Sequence, residues 1–353
     1  MLFSGTKLSS RCREGGAAEI DELRKRKEEK TFGICFHHKE GTIGEWKRID
    51  INGNDLSFSN MAERWPFNAI KEVVVDGQKM IHIPKIYVRN TVLPSSSKYA
   101  GERQWSISNK KIDSNWHVHP AFMNNGKEMS GVQIGKYLAS MDSSGKAASI
   151  EGASFWTNIT RDDAHKAGLT RNVSGGTGEK TGWHTYNIYE HHLIARLMLI
   201  EYGSSDLQTL LTGSGSGMDA KYHGIEMVWG GARYGEWFDG IDTLGTNNAV
   251  RIFKNDGSQT YVDTGIAPCG FGWLKDVLLN KGTNYDLGDV FLAASVDGTQ
   301  ANGSFGDYQH FSGGYVFYSY WAASADRGPF CLSNDSTGDA GGSLGFRLAR
   351  YVE

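Results

Sequence analysis

One stretch of this 353-residue chain reads as a long helix, and it stands among segments that do not. Over residues 186–202, Ile188, His192, Ala195 and Leu199 fall on one face, with Leu193, Leu197 and Ile200 beside them. Apolar recurrence every three or four residues is the helical period. Gly203 follows as a natural C-terminal stop. A second, shorter helix is predicted over residues 160–167, where Thr160 and Asp163 approximate a capping box. From Trp105 onward the remaining apolar runs are short and are separated by Gly, Asn, Asp and Ser clusters. Two helices among many short strands do not alternate as β/α units, so the pattern predicts the α+β class. Loops then carry much of the mass, and loops that long usually serve a function.

The N-terminal part has its own character. Residues 1–30 read as a charged helix, rich in Glu, Lys, Arg and Ala from Glu14 onward, with a thin stripe of Ile20 and Leu23. That stripe suits a solvated helix or a short docking helix better than a coiled coil. Residues 31–95 read as a separate β-rich region. Phe32, Ile34 and Phe36 alternate, a turn over residues 41–44 leads to Trp46, and Asp76-Gly77 between β-branched runs signals a hairpin. Pro84 is expected at an edge or bulge of that sheet. The Ser-rich stretch 91–101 is expected to connect it to a larger domain, residues 96–353.

Composition enters through what it excludes. Gly is abundant at 45 residues and Pro scarce at 6, while 10 Trp, 15 Tyr and 16 Phe supply many large anchors. A chain so rich in aromatics is not generally disordered. Glycine without proline points to unusual backbone dihedrals and close backbone approach. The net charge of -3 gives no basic excess for a nucleic-acid partner. No run approaches the roughly 18 apolar residues of a membrane span, so no membrane insertion is expected. The first ten residues lack a signal-peptide pattern, so synthesis and folding in a bacterial cytoplasm are expected. Cys12, Cys35, Cys269 and Cys331 are widely spread, which suggests free thiols instead of a zinc site or a disulfide framework.

Several motifs are suggestive and incomplete. His191 and His192 are adjacent on the helix and point about 100° apart, unlike a metal-binding pair at i and i+4. His37-His38 and the pair His117/His119 are read as hydrogen-bonded or surface histidines, although a strand would place His117 and His119 on one face. The loop before Glu179-Lys180-Thr181 does not match a phosphate-binding loop. Gly213-Ser214-Gly215-Ser216-Gly217 has the string of a nucleophile elbow without the strand before it.

Three segments are more specific: Leu197-Met198-Leu199-Ile200-Glu201-Tyr202-Gly203-Ser204; Gly224-Ile225-Glu226-Met227-Val228-Trp229-Gly230-Gly231 running on to Gly235-Glu236-Trp237-Phe238; and Gly313-Gly314 followed by Gly345-Phe346-Arg347-Leu348-Ala349. In this order they resemble the C-type-lectin-like fold of the formylglycine-generating-enzyme type, over residues from roughly 100 to 353. Within it they are similar to variable proteins of diversity-generating retroelements and phage tail-tip receptor-binding proteins. The resemblance implies a ligand-binding head in which the stretch between the Gly-Gly and Gly-Phe-Arg motifs, residues 313–347, is diversified. Host attachment at a phage tail tip is then expected, with a bacterial cell-surface or cytoplasmic location as the alternative.

The residues of that stretch suit the role. Tyr315, Phe317, Tyr318, Tyr320 and Trp321 crowd together, followed by Ser324, Asp326, Arg327, Asn334, Asp335 and Asp339. Aromatic rings with small polar residues make the composition of a paratope. Strand alternation turns Val316 inward and Tyr315 and Phe317 outward, and places Phe330, Cys331 and Leu332 in the core. Trp229 and Trp237 are expected as core anchors, and a buried Arg347 would need Glu236 or Asp239 as partner. The resemblance also offers an oxidase, which requires two copper-binding cysteines; the corresponding places hold Tyr318 and Ala323, and Cys331 stands alone. A non-enzymatic binder is therefore expected, with a non-diversified structural tail protein as the alternative. Its expected partners are a cell-surface protein or glycan receptor, further copies in a homotrimer, and other virion proteins through residues 1–95. No cofactor is implied except a structural Ca2+, for which the loop over residues 239–248 supplies Asp and Asn without spacing that selects ligands.

Overall fold

Two helices organise the computed structural model: α1 (Arg161–Gly168) and α2 (Ile188–Tyr202). The structure describes residues 31–36, 46–57, 60–211, 220–228, 234–300, 305–318 and 328–353, with the backbone alone at 35, 36, 208, 209, 317 and 318. The expected N-terminal helix, the turn at 41–44 and the Gly-Ser string at 213–217 lie outside the described residues.

The sequence sets both ends of α2. Asn187 Oδ1 accepts from the amides of Tyr189 and Glu190, and Glu190 Oε2 accepts from the Asn187 amide at 2.9 Å, a complete capping box. At the other end Gly203 adopts φ 68°, and its amide donates to the Leu199 carbonyl. Arg48 then donates to the carbonyls of Ile200 and Glu201 at 2.8 and 2.9 Å, satisfying acceptors the helix leaves open. The apolar stripe proves wider than one face: every residue from Ile188 to Ile200 is buried. A helix apolar nearly all round belongs in an interior, and each fully buried Leu or Ile there contributes about 1.5–3 kcal/mol.

Three sheets converge on α2. The first runs in the order Trp46–Ile49, Thr31–Phe36, Arg103–Ser108, Tyr87–Val92, His117–Val118. The second runs Trp183–Thr185, Leu348–Val352, Gly131–Gly135, Gln78–Pro84, Lys71–Val75. The third has nine strands, with Tyr261–Asp263, Arg251–Phe253 and Gly235–Asp242 at one end, Tyr315–Tyr318 and Leu332–Asp335 in the middle, and Tyr308–Phe311, Gly270–Val277 and Ala293–Asp297 beyond; Leu344–Gly345 pairs in parallel with Gly235–Asp242. Phe32 and Trp105 of the first sheet, Val132 and Ile134 of the second, and Phe238 and Ile241 of the third share one core cluster with α2. The protein is α+β, as expected.

The expected division at residue 95 is corrected. Thr91 and Val92 belong to the strand Tyr87–Val92, and the stretch after them turns back into Arg103–Ser108, so it is a hairpin connection within one sheet. Gln78–Pro84 pairs with Gly131–Gly135, which in turn pairs with Leu348–Val352. The β-rich N-terminal residues are thus woven into the same sheets as the C-terminus. The Asp76-Gly77 hairpin forms as expected, with φ 47° and 75°, the positive dihedrals a two-residue I′ turn demands. Pro84 ends an inner strand instead of sitting at an edge. Its neighbour Lys85 donates to Ser130, so position 84 faces the other side, where the Lys71–Val75 strand has already ended opposite His82. No ladder donor is missed there. Among the described residues no helix is long and apolar enough to cross a membrane.

Candidate functional site

The helix α1 starts at Thr160, whose side chain accepts from the Asp163 amide at 3.1 Å. This start places Arg161 and His165, four residues apart, on one face. Both reach Asp239 in the strand Gly235–Asp242, which is 2% exposed. Arg161 Nη1 donates to Asp239 Oδ1 at 3.0 Å and to the Tyr261 hydroxyl at 2.7 Å. His165 Nδ1 lies 2.5 Å from Asp239 Oδ2. Arg161 Nη2 is 3.1 Å from Asp162 Oδ1, and Tyr315 donates its hydroxyl proton to Asp162 Oδ2 at 3.0 Å. The Arg161 guanidinium stacks 4.0 Å from the centroid of the Tyr315 ring.

Arg161, Asp162, His165, Asp239 and Tyr261 line a pocket of about 290 Å³, with Lys166, Phe253 and Gln259 completing its walls. Beside it Arg251 holds Asp242 in a two-point pair, both contacts 2.8 Å, and lies over the Tyr261 ring. Burial pushes the Asp239 carboxyl up, but His165 and Arg161 outweigh burial and hold it below the usual range. The Asp239 hydrogen bond raises His165 above its ordinary value against the effect of burial. Burial, reinforced by Asp239, pushes the Tyr261 phenol well up, so it stays protonated. A concave site with convergent polar groups and shifted titrations is the kind that binds ligands.

Of the eleven residues expected to bind ligand, six are described: Tyr315, Phe317, Tyr318, Asn334, Asp335 and Asp339. Tyr315–Tyr318 pairs antiparallel with Leu332–Asp335, in register from Tyr315 with Asp335 to Tyr318 with Leu332. Tyr315 stands at the end beside α1. It is 7% exposed, so the expectation that it faces outward is corrected: its ring packs under Arg161 instead of meeting solvent. Asn334 is occupied with the turn before Tyr315, accepting from the Ser312 amide at 2.6 Å and donating to the Gly313 carbonyl. Asp335 and Asp339 are half-buried neighbours, and burial together with Asp335 raises the Asp339 carboxyl. Phe317 and Tyr318 are placed by backbone on the strand running to the opposite end. Tyr320, Trp321, Ser324, Asp326 and Arg327, and with them Ala323, lie outside the described residues, between the two strands in sequence.

The core expectations fall into place around this hairpin. Val316, Phe330, Cys331 and Leu332 are buried, as is Trp237, whose indole donates to the Ile159 carbonyl at 2.9 Å; Trp229 lies outside the described residues. Arg347 takes Glu236, not Asp239, with Nε 3.0 Å from Oε1 and further bonds to the carbonyls of Gly135, Glu226 and Met227. His191 Nε2 donates to the Pro329 carbonyl at 2.7 Å inside the core, and burial lowers the imidazole to about 4. The oxygens of Asp239 and Asp242, considered for Ca2+, already accept from Arg161 and His165 and from Arg251 respectively.

One cluster among the described residues has the composition of a metal centre: His117, Asp286 and Asp289. Its chemistry is that of an ion-pair network. His117 Nε2 lies 2.8 Å from Asp289 Oδ2, while Asn90 and Arg196 donate to Oδ1 at 2.8 and 3.2 Å. Lys281 lies 2.9 Å from Asp286 Oδ2. Burial disfavours charge on Asp289, but His117, His119 and Arg196 together hold its carboxyl low. A cation here would have to displace that guanidinium. His119 points elsewhere, accepting from the Ala121 amide, and burial lowers it to about 3.

The α1 pocket escaped sequence reading. The one available signal was the four-residue spacing of Arg161 and His165 on a helix whose start had been recognised. No protein-family model and no curated protein sequence matches this chain.

Proposed function

We propose that this protein is a receptor- or ligand-binding protein with the C-type-lectin-like fold of the formylglycine-generating-enzyme type, serving phage host attachment through a surface whose side chains vary while its backbone does not. One observation supports this most. The strands Tyr315–Tyr318 and Leu332–Asp335 are interior members of the nine-stranded sheet, flanked by Gly235–Asp242 and Tyr308–Phe311. The segment joining them is the Tyr-, Trp- and Ser-bearing stretch of the sequence. Replacing side chains between two strands that are each paired on both sides leaves the ladder hydrogen bonds untouched. The buried Glu236–Arg347 pair fixes the end of the same stretch to the sheet.

Binding energy would come from a few Tyr and Trp anchors, and presentation as a homotrimer at a tail tip would add avidity. Residues 1–95 would serve attachment to other virion proteins. The test is binding of the purified protein to host cells after Tyr318→Ala and Tyr320→Ala. Combined, they are expected to weaken binding at least about tenfold, the loss of one anchor of roughly 1.4 kcal/mol or more. Unchanged binding would remove the surface from this role.

A further inference from the structure

We propose that the α1 pocket binds one carboxylate-bearing sugar residue and forms the fixed part of the receptor site, the part that diversification does not touch. This deepens the receptor-binding reading and rests on it for its biological meaning, while the binding event itself can be measured alone.

The argument is an inventory of donors and acceptors. The acceptors are spent. Asp239 receives Arg161, His165 and the Gly240 amide, and Asp162 receives Arg161 and Tyr315. The donors are not. His165 engages Asp239 through Nδ1, which leaves Nε2 as the remaining ring nitrogen, and its side chain is one-third exposed at 33%. Tyr261 accepts from Arg161, so its own hydroxyl proton remains to be donated. Lys166 pairs only with Asp163 on the open surface, its side chain 73% exposed, and such a pair exchanges readily for a better partner. A site with donors left over and carboxylates already neutralised selects an anion.

Size and shape narrow the anion. About 290 Å³ lies at the small end of ligand sites and holds one sugar ring. Phe253 and Tyr261 supply aromatic walls, against which the C–H face of a sugar packs, while α1 supplies the cations. Gln259 holds φ 55°, a left-handed conformation uncommon for a side-chain-bearing residue, in the turn that carries its amide to the rim.

The experiment titrates the full chain with glucuronate and N-acetylneuraminate, and with glucose as the neutral counterpart, by ligand-observed NMR and calorimetry. At least one acid is expected to bind about tenfold or more tightly than glucose, a difference of roughly 1.4 kcal/mol. His165→Asn keeps an amide donor for Asp239 and deletes Nε2, and Tyr261→Phe deletes the hydroxyl; each is expected to weaken the acid about tenfold in a protein that still unfolds cooperatively. Lys110→Ala, on an exposed turn away from the pocket, is expected to bind like the parent. Equal binding of acid and neutral sugar, no binding of either acid, or full binding by folded His165→Asn would each overturn the proposal. Acid binding by a protein that ignores host cells would support the pocket and defeat the receptor reading; cell binding that needs Tyr318 and Tyr320 with no acid binding would do the reverse.

Discussion

The molecule contains the same three-residue arrangement twice. In the interior, Asp289 lies between Arg196 and His117; beside the pocket, Asp239 lies between Arg161 and His165. In both, one carboxylate oxygen takes the guanidinium and the other takes the imidazole. They differ in surroundings. Arg196 and Asp289 are fully buried, and Asn90 and the Gly288 carbonyl complete their shell. Burial lowers Arg196, whereas Tyr261 and Asp239 overcome burial and raise Arg161. The interior cluster directs both Arg196 terminal nitrogens inward and anchors α2 to the strands Tyr87–Val92 and Arg103–Ser108 and to the turn at 288–289. The pocket cluster uses its acceptors on itself and leaves donors facing water. What an Arg–Asp–His arrangement does is decided by what remains unpaired, not by the arrangement.

The largest expected effect separates the two directly. Asp289→Ala takes the carboxylate from the fully buried Arg196 and is expected to cost about 3–5 kcal/mol of unfolding free energy in urea titrations. The matching Asp239→Ala is expected to cost less, about 1–3 kcal/mol, because Arg161 keeps Asp162 and Tyr261. Equal losses would break the comparison. Histidines sharpen it next. Burial holds His119, His191 and His192 below 6.5, so each binds a proton on unfolding, and the stability they protect is lost as pH falls below 6.5. His165 is raised, so its contribution is complete below 6.5 and is lost as pH rises through its folded value. His192 Nδ1 has no hydrogen-bond partner among the described residues. His192→Leu is therefore expected to flatten the acid limb of stability by about 1 kcal/mol per pH unit below 6.5 and to change little at neutrality; an unchanged acid limb would exclude His192 from it. Smallest of all, Lys166→Ala is expected to leave the unfolding midpoint where it is, since its ion pair is fully exposed, while still weakening acid-sugar binding.

The two clusters also show where sequence reading stops. The C-terminal end of α2 was legible because Gly203 acts through a bond four residues long, whereas the equally local Asn187–Glu190 capping box that sets its start went unread. The Arg347 pair was legible as a need, since a buried guanidinium must find a carboxylate, and only the choice between Glu236 and Asp239 waited for the structure. Neither triad was legible. His165 and Asp239 are 74 residues apart, and His117 and Asp289 are 172 apart. The boundary at 95 failed for the same reason: the partners of Gln78–Pro84 lie at 131–135, and register between distant strands leaves no local periodicity. Tyr315 was read by alternation alone, which gives the side of a strand and not whether a helix covers that side.

The position of the strand Leu348–Val352 has a consequence in time. It lies between Trp183–Thr185 and Gly131–Gly135, so the second sheet has a gap until those residues are in place. During synthesis, domains form as units from the N-terminus onward. Here the strand Leu348–Val352 is made after both of its neighbours, and Arg347 just before it closes the Glu236 pair. The second sheet stays unsealed until residues 347–352 have emerged. A stalled ribosome near residue 340 would expose an open sheet edge to pair with whatever strand it meets, and the cell would see the failure as aggregation instead of as a weak binder.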